Sequence, residues 1–145
     1  MVVINYPEPA FRLRKQDGTE EIFDLLRKKW IVLTPEEWVR QNFIQFLVTV
    51  KKYPASLVAV EKEIKLGELK KRFDILVYNS WHEPWLMVEC KSMNVQLNEE
   101  VLQQALRYNM STPVSFIVIT NGNYTIGWQK GETCLHEINE LPDHI

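Results

Sequence analysis

Apolar and polar residues in this chain follow two periods, and the changes of period mark its elements. Ala10-Phe11-Arg12-Leu13-Arg14-Lys15 alternates as a strand, and Asp17-Gly18 is a turn pair returning through Glu20-Glu21-Ile22-Phe23. An extended phrase from Arg27 to Leu33 leads into helical period. Thr34 is placed as N-cap, Pro35 as the first helical residue and Glu37 as the third, a capping box. Val39, Phe43, Phe46, Leu47 and Val50 then recur at helical spacing as far as Lys51-Lys52, whose charges suit a helix C-terminus. Tyr53-Pro54 stops the helix. The period returns to two over Leu57–Ile64, with Val58, Val60, Lys62 and Ile64 on one face, and Gly67 supplies the next turn.

Two short, very apolar runs follow, Phe73–Tyr78 and Pro84–Lys91, which fit buried strands better than helix. Asn98 is a suitable cap for a second helix reaching about Met110, with Glu99 and Glu100 in its first turn. Val101, Leu102, Ala105 and Leu106 give it a stripe that can lie on a sheet. Val114–Thr120 is the most β-like run, and the crossover helix before it predicts a strand parallel to the one containing Glu89. Asn121-Gly122 turns the chain into Tyr124–Trp128, and a short strand around Cys134–Ile138 precedes an end expected to fray. The order of elements predicts an α/β (α+β) fold, a mixed β-sheet flanked by helices. One domain is expected over residues 1–145: an N-terminal hairpin extension at 1–30, a core at 31–128 and a C-terminal tail at 129–145.

Composition adds little: apolar residues at 46% and charged at 25% are ordinary for a globular protein. No run of eighteen apolar residues and no secretion signal are seen, so no membrane partner and a cytoplasmic location are expected. Cys90 and Cys134 do not form a metal-ligand cluster and are expected to be reduced, and His82, His136 and His144 lack zinc spacing and are expected at the surface or a strand edge. The net charge of −2 is unevenly spread. Residues 1–72 hold fourteen Lys/Arg against ten Asp/Glu, and residues 73–145 hold three against nine. A basic half beside an acidic half can be a nucleic-acid-facing surface next to a cation site, or simply a solvated face.

The chemistry concentrates between Arg72 and Lys91. Asp74 begins one apolar strand and Glu89 ends the next, so antiparallel pairing brings them close. Residues two apart share a face, so Glu89 and Lys91 project together while Cys90 points away. Buried carboxylates are costly unless paired or bound to a cation. Two carboxylates and an ammonium at one sheet end suit a hard divalent cation and an activated water. The alternative is structural: Asp74 paired with Arg72 or Lys71, and Glu89 with Lys91, as strand-end salt bridges. Glu36, three residues before Val39 and seven before Phe43, is placed on the buried helix face and is the candidate third acidic ligand, since Glu37 has a capping role. Gln104 and Tyr108, four apart, are neighbours on the second helix. Glu61 can approach the same place or form a surface ion pair.

Helix, three strands, helix, strand, with Asp74, then Glu89-Cys90-Lys91, then Gln104-Ala105-Leu106-Arg107-Tyr108, resembles the PD-(D/E)xK nuclease core. More closely, it resembles the N-terminal nuclease domain of the R (restriction) subunit of type I restriction enzymes. The phrases RFDILVY, LMVECKS and FIVITNG look typical of it, over roughly Trp30 to Trp128. The resemblance implies a restriction-endonuclease-like core and Mg²⁺-dependent hydrolysis of DNA, with Mn²⁺ as substitute. Asp74, Glu89 and the Cys90 main-chain carbonyl would hold the metal, and Glu36 a second ion or its water. Lys91 would activate the attacking water, and Gln104 and Tyr108 would steady the DNA strand or the site. Phe73 stands where the motif is more often written with proline. No GxxxxGK[ST] motor motif is present, so the expected partners are DNA and either helicase and specificity subunits or a second copy of the chain. A non-catalytic nucleic-acid- or partner-binding module that keeps the fold is the alternative.

Overall fold

The computed structural model describes residues 1–145. Its N-terminal part is a three-stranded antiparallel sheet, β1 (Leu13–Gln16), β2 (Thr19–Asp24) and β3 (Lys29–Val32), in the order β1-β2-β3. Asp17 and Gly18 both take positive φ in the β1–β2 turn, as a tight hairpin of this type requires. The extended phrase before the first helix is thus a third strand rather than a connector.

Helix α1 (Pro35–Gln45) starts where its signals place it, with the Glu37 amide donating to Thr34 Oγ1 at 3.0 Å. Phe46–Val50 then continues as a π-helical turn. Val48, Thr49 and Val50 are β-branched and weaken the α form, and the Thr49 hydroxyl bonds back to the Gln45 carbonyl at 2.6 Å. Val50 consequently ends 48% exposed instead of on the buried stripe. A 3₁₀ turn (Ala55–Leu57) leads to β4 (Val58–Leu66), β5 (Leu69–Tyr78) and β6 (Pro84–Cys90). Helix α2 (Glu99–Asn109), capped by Asn98 Oδ1, crosses to β7 (Phe116–Thr120), β8 (Thr125–Lys130) and β9 (Leu135–Ile138).

The six strands β4 to β9 form one sheet in sequence order, antiparallel except for β6 and β7, which the α2 crossover makes parallel. Each face carries its own core. Val39, Phe43 and Leu47 pack with Ile75, Val77, Leu86, Val88 and Val118 on the α1 side. A smaller cluster on the other side joins Phe73, Leu76, Met87, Val114 and Ile117, with Leu106 of α2 against it. Burying each large apolar side chain contributes about 1.5–3 kcal/mol, which fixes the strand ends that carry the polar residues below. No helix is long and apolar enough to cross a membrane.

The C-terminal end is docked, not frayed. Tyr53 donates from its hydroxyl to the Pro142 carbonyl at 2.6 Å, Lys51 to the Leu141 carbonyl at 3.0 Å, and Leu141 is buried. His144, expected at the surface, packs against the Tyr53 and Trp85 rings, with Nε2 2.8 Å from the Tyr78 carbonyl. Apolar surface around Tyr53 and Trp85 offers this segment more than solvent does.

Candidate functional site: a carboxylate cluster around Arg40

Strands β5 and β6 pair antiparallel with Ile75 opposite Val88, so continuing the register sets Asp74 opposite Glu89. The ladder changes character there. The Cys90 amide donates to Asp74 Oδ2 at 2.8 Å, a side-chain contact where a main-chain bond would continue the sheet. A break in β5 alternation then separates the two carboxylates: Phe73 and Leu76 both belong to the α2-side core, and Asp74 between them turns to the α1 side instead of following Leu76. Val88 and Cys90 belong to the α1-side core, while Met87 belongs to the α2-side core and Glu89 follows it. Asp74 reaches α1, and Glu89 pairs with Lys91 at 3.3 Å.

Asp74 meets α1 at Arg40, whose side chain is only 5% exposed. The guanidinium contacts four carboxylates: Glu37 at 2.7 Å, Glu61 at 3.1 Å, Asp74 at 3.2 Å and Glu36 at 3.4 Å. Its Nε has no partner. Residue spacing accounts for half of this, because Glu36 and Glu37 precede Arg40 by four and three positions on one helix. Glu61 arrives because β4 breaks regular pairing there, at φ 53°, and it also accepts from Arg72. Burial by itself would raise the Glu61 carboxyl, but Arg40 and Arg72 outweigh it and hold it below its ordinary value.

Glu36 and Glu37 exchange the positions expected of them. Glu37 is 4% exposed and accepts from Arg27, Arg40 and Gln41 instead of bonding back to the cap. Glu36 has a half-exposed side chain at the rim. The reason is the N-terminal sheet, which covers the Glu37 side of α1: Asp24, 1% exposed, accepts from Gln41 and from Arg27. Glu36 lines an open cavity of about 560 Å³ together with Val32, Thr34, Arg40, Glu61 and Ser92. Its carboxyl is raised above the ordinary value by burial first and by Asp74 next, against the lowering effects of Arg40 and Lys91. Glu36, Asp74 and Lys91 therefore share one electrostatic neighbourhood.

Cys90 lies beneath it, fully buried, and burial pushes its thiol well up. Gln104 and Tyr108 are both exposed on α2. Tyr108 is tied to the sheet through Lys71, whose Nζ sits 4.4 Å from the ring centroid and bonds the Tyr108 carbonyl. Glu89 acts electrostatically on the same Lys71. No contact joins Gln104 to Asp74; it borders a polar depression with Glu99, Glu100, Gln103 and Arg107. The residues absent from the sequence reading are Arg40 and, as a full participant, Glu61. The only sequence signal for Arg40 was its spacing behind two glutamates.

The oxygens present suit a hard cation such as Mg²⁺ in kind. In arrangement, no group of three or more His, Cys, Asp or Glu side chains converges on one metal position. Arg40 is the cation that the cluster holds, and both Asp74 oxygens have protein partners. No curated protein matches the chain. A family model described as type I restriction enzyme R protein N terminus matches residues 35–142, from the first turn of α1 past the end of β9. The chain belongs to the family of type I restriction enzyme R protein N-termini.

Proposed function

We propose that this chain is a metal-dependent DNA endonuclease domain of a restriction enzyme, built on a PD-(D/E)xK-type centre. The observation that carries the reading is that Glu36 and Asp74 meet on the Arg40 guanidinium at the end of the β5–β6 pair, where Glu36 and Arg40 line an open cavity and Glu89 pairs with Lys91. Asp74, Glu89, the Cys90 main-chain carbonyl and Glu36 are the groups that would hold Mg²⁺. Bound there, the metal would polarise the phosphodiester and supply an acidified water. Lys91 Nζ lies within reach of Glu89 and acts on Glu36, so it can orient that water and offset the charge that develops on phosphorus oxygens. Water adds to phosphorus as one ester P–O bond breaks, leaving a phosphate monoester and a free hydroxyl. Gln104 and Tyr108 are proposed to steady the substrate strand from α2. DNA and other restriction-enzyme subunits are the partners this reading requires.

One observation favours a second reading, a non-catalytic DNA- or partner-binding module. Arg40 and the Cys90 amide occupy Asp74, and Lys91 occupies Glu89, as a purely structural ion-pair cluster would. Nicking of supercoiled plasmid in Mg²⁺ or Mn²⁺ separates the two. Hydrolysis by the wild type that disappears in Lys91→Ala and on chelation supports the nuclease. Equal cleavage by both proteins removes Lys91 from the chemistry, and absence of cleavage and of metal uptake favours the module.

A further inference from the structure

Resting on the reading of the carboxylate cluster as a DNA-hydrolysing centre, we propose that duplex DNA crosses its cavity between two basic walls. One wall is the outward face of the β1–β3 sheet, and the other is one face of the β4–β5 hairpin. In the first, Ile22 and Asp24 are buried against α1, so alternation turns Arg14, Phe23, Trp30 and Val32 outward. The Arg12 guanidinium lies over Phe23 at 4.9 Å and Trp30 at 5.4 Å, and that of Arg14 over Trp30 at 4.2 Å. Stacking holds these two cations flat on the sheet while both residues stay exposed, a geometry that presents N–H donors to phosphate. Lys28, exposed and in no ion pair, stands at the β2–β3 turn.

In the second wall, Lys65 and Lys70 are direct cross-strand partners. Like charges set opposite each other destabilise a hairpin, and neither lysine has an acidic partner within the chain. A phosphate between them removes that repulsion. Arg72 shares their face, is 64% exposed, and bonds Glu61. Both walls end at the same cavity, the first through Val32 and the second through Glu61. The acids on these faces are partnered: Glu21 is neutralised by Arg14, Glu63 stands opposite Arg72, and Glu61 is shared by Arg72 and Arg40. Contacts of this kind read phosphates, so the track is sequence-independent. The first wall lies before residue 35, outside the stretch shared with the family.

The test is fluorescence anisotropy of a short labelled duplex with the full chain, in chelator, across a salt series. Arg12→Ala/Arg14→Ala and Lys65→Ala/Lys70→Ala are compared with wild type and with Lys52→Ala, an exposed cation that belongs to neither wall. Each double variant is expected to weaken binding about tenfold or more and to make the slope of log K against log salt shallower by about 1–2, since each phosphate contact contributes roughly 0.9. Lys52→Ala should match wild type. Unchanged affinity and slope in either double variant, with wild-type circular dichroism, overturns the track, as does a wild type that does not bind duplex. Without metal no hydrolysis enters the measurement. A chain that binds through both walls yet neither takes up Mn²⁺ nor nicks DNA keeps the track and loses the hydrolytic reading.

Discussion

Replacing Arg40 with methionine removes the one cation shared by Glu36, Glu37, Glu61 and Asp74 while keeping most of the side-chain volume. Deleting one partner of a buried ion pair costs about 3–5 kcal/mol, because the remaining charge stays desolvated. Three features place this site at the low end. Glu37 keeps Arg27 and Gln41, Glu61 keeps Arg72, and Asp74 keeps the Cys90 amide. The half-exposed Glu36 turns to solvent. A loss of about 3 kcal/mol corresponds to a fall in Tm of roughly 6–12 °C for a chain of this size. The loss should shrink as pH falls, because crowded carboxylates without Arg40 take up protons more readily in the folded state than in the unfolded one. Thermal unfolding followed by circular dichroism at neutral pH and at mildly acidic pH measures both effects. A wild-type Tm at neutral pH, or a loss that grows on acidification, would refute Arg40 as the organiser of the cluster.

Glu36→Gln should stabilise the protein at neutral pH. The folded-state carboxyl is raised above 4.5, so the charged form carries a penalty that is absent below the unfolded value and complete once pH passes the folded one. Urea midpoints that favour the variant only above that window are expected. Thr34→Ala removes the acceptor for the Glu37 amide and should cost about 1 kcal/mol in urea unfolding; an unchanged midpoint would mean the cap is idle. With a thiol reagent at about pH 8, one cysteine per native chain should react, Cys134, because burial keeps Cys90 protonated and covered. Rapid labelling of both without denaturant would contradict the packing beneath Asp74.

Local chemistry made much of the fold legible. Alternation, the Asp17-Gly18 and Asn121-Gly122 turns, and the Thr34-Pro35 and Asn98 starts mark elements whose local signals agree with their tertiary use. Antiparallel register predicts Asp74 beside Glu89, whereas in the fold Asp74 accepts from the Cys90 amide. What stayed hidden depends on residues far apart in sequence. Glu36 and Glu37 are adjacent, and which one is buried is decided by the β1–β3 sheet settling on one side of α1 through Asp24, Arg27 and Gln41. Arg40 reads as an ordinary helix cation behind two glutamates because the other two carboxylates it meets, Glu61 and Asp74, come from different strands that reach α1 only in the fold. His144 reads as a terminal surface residue until Tyr53 and Trp85 come together beneath it.

The central claim is that the Asp74 centre is a cation site as well as a salt-bridge cluster, and it can be tested without the rest of a restriction enzyme. Titrating the full chain with Mn²⁺, read by calorimetry or electron paramagnetic resonance, should show saturable uptake that Asp74→Asn abolishes while circular dichroism stays native. Arg40→Met should bind Mn²⁺ more tightly than wild type, because the competing guanidinium is gone. Identical titrations for wild type and Asp74→Asn, or no uptake by either wild type or Arg40→Met, would contradict the claim.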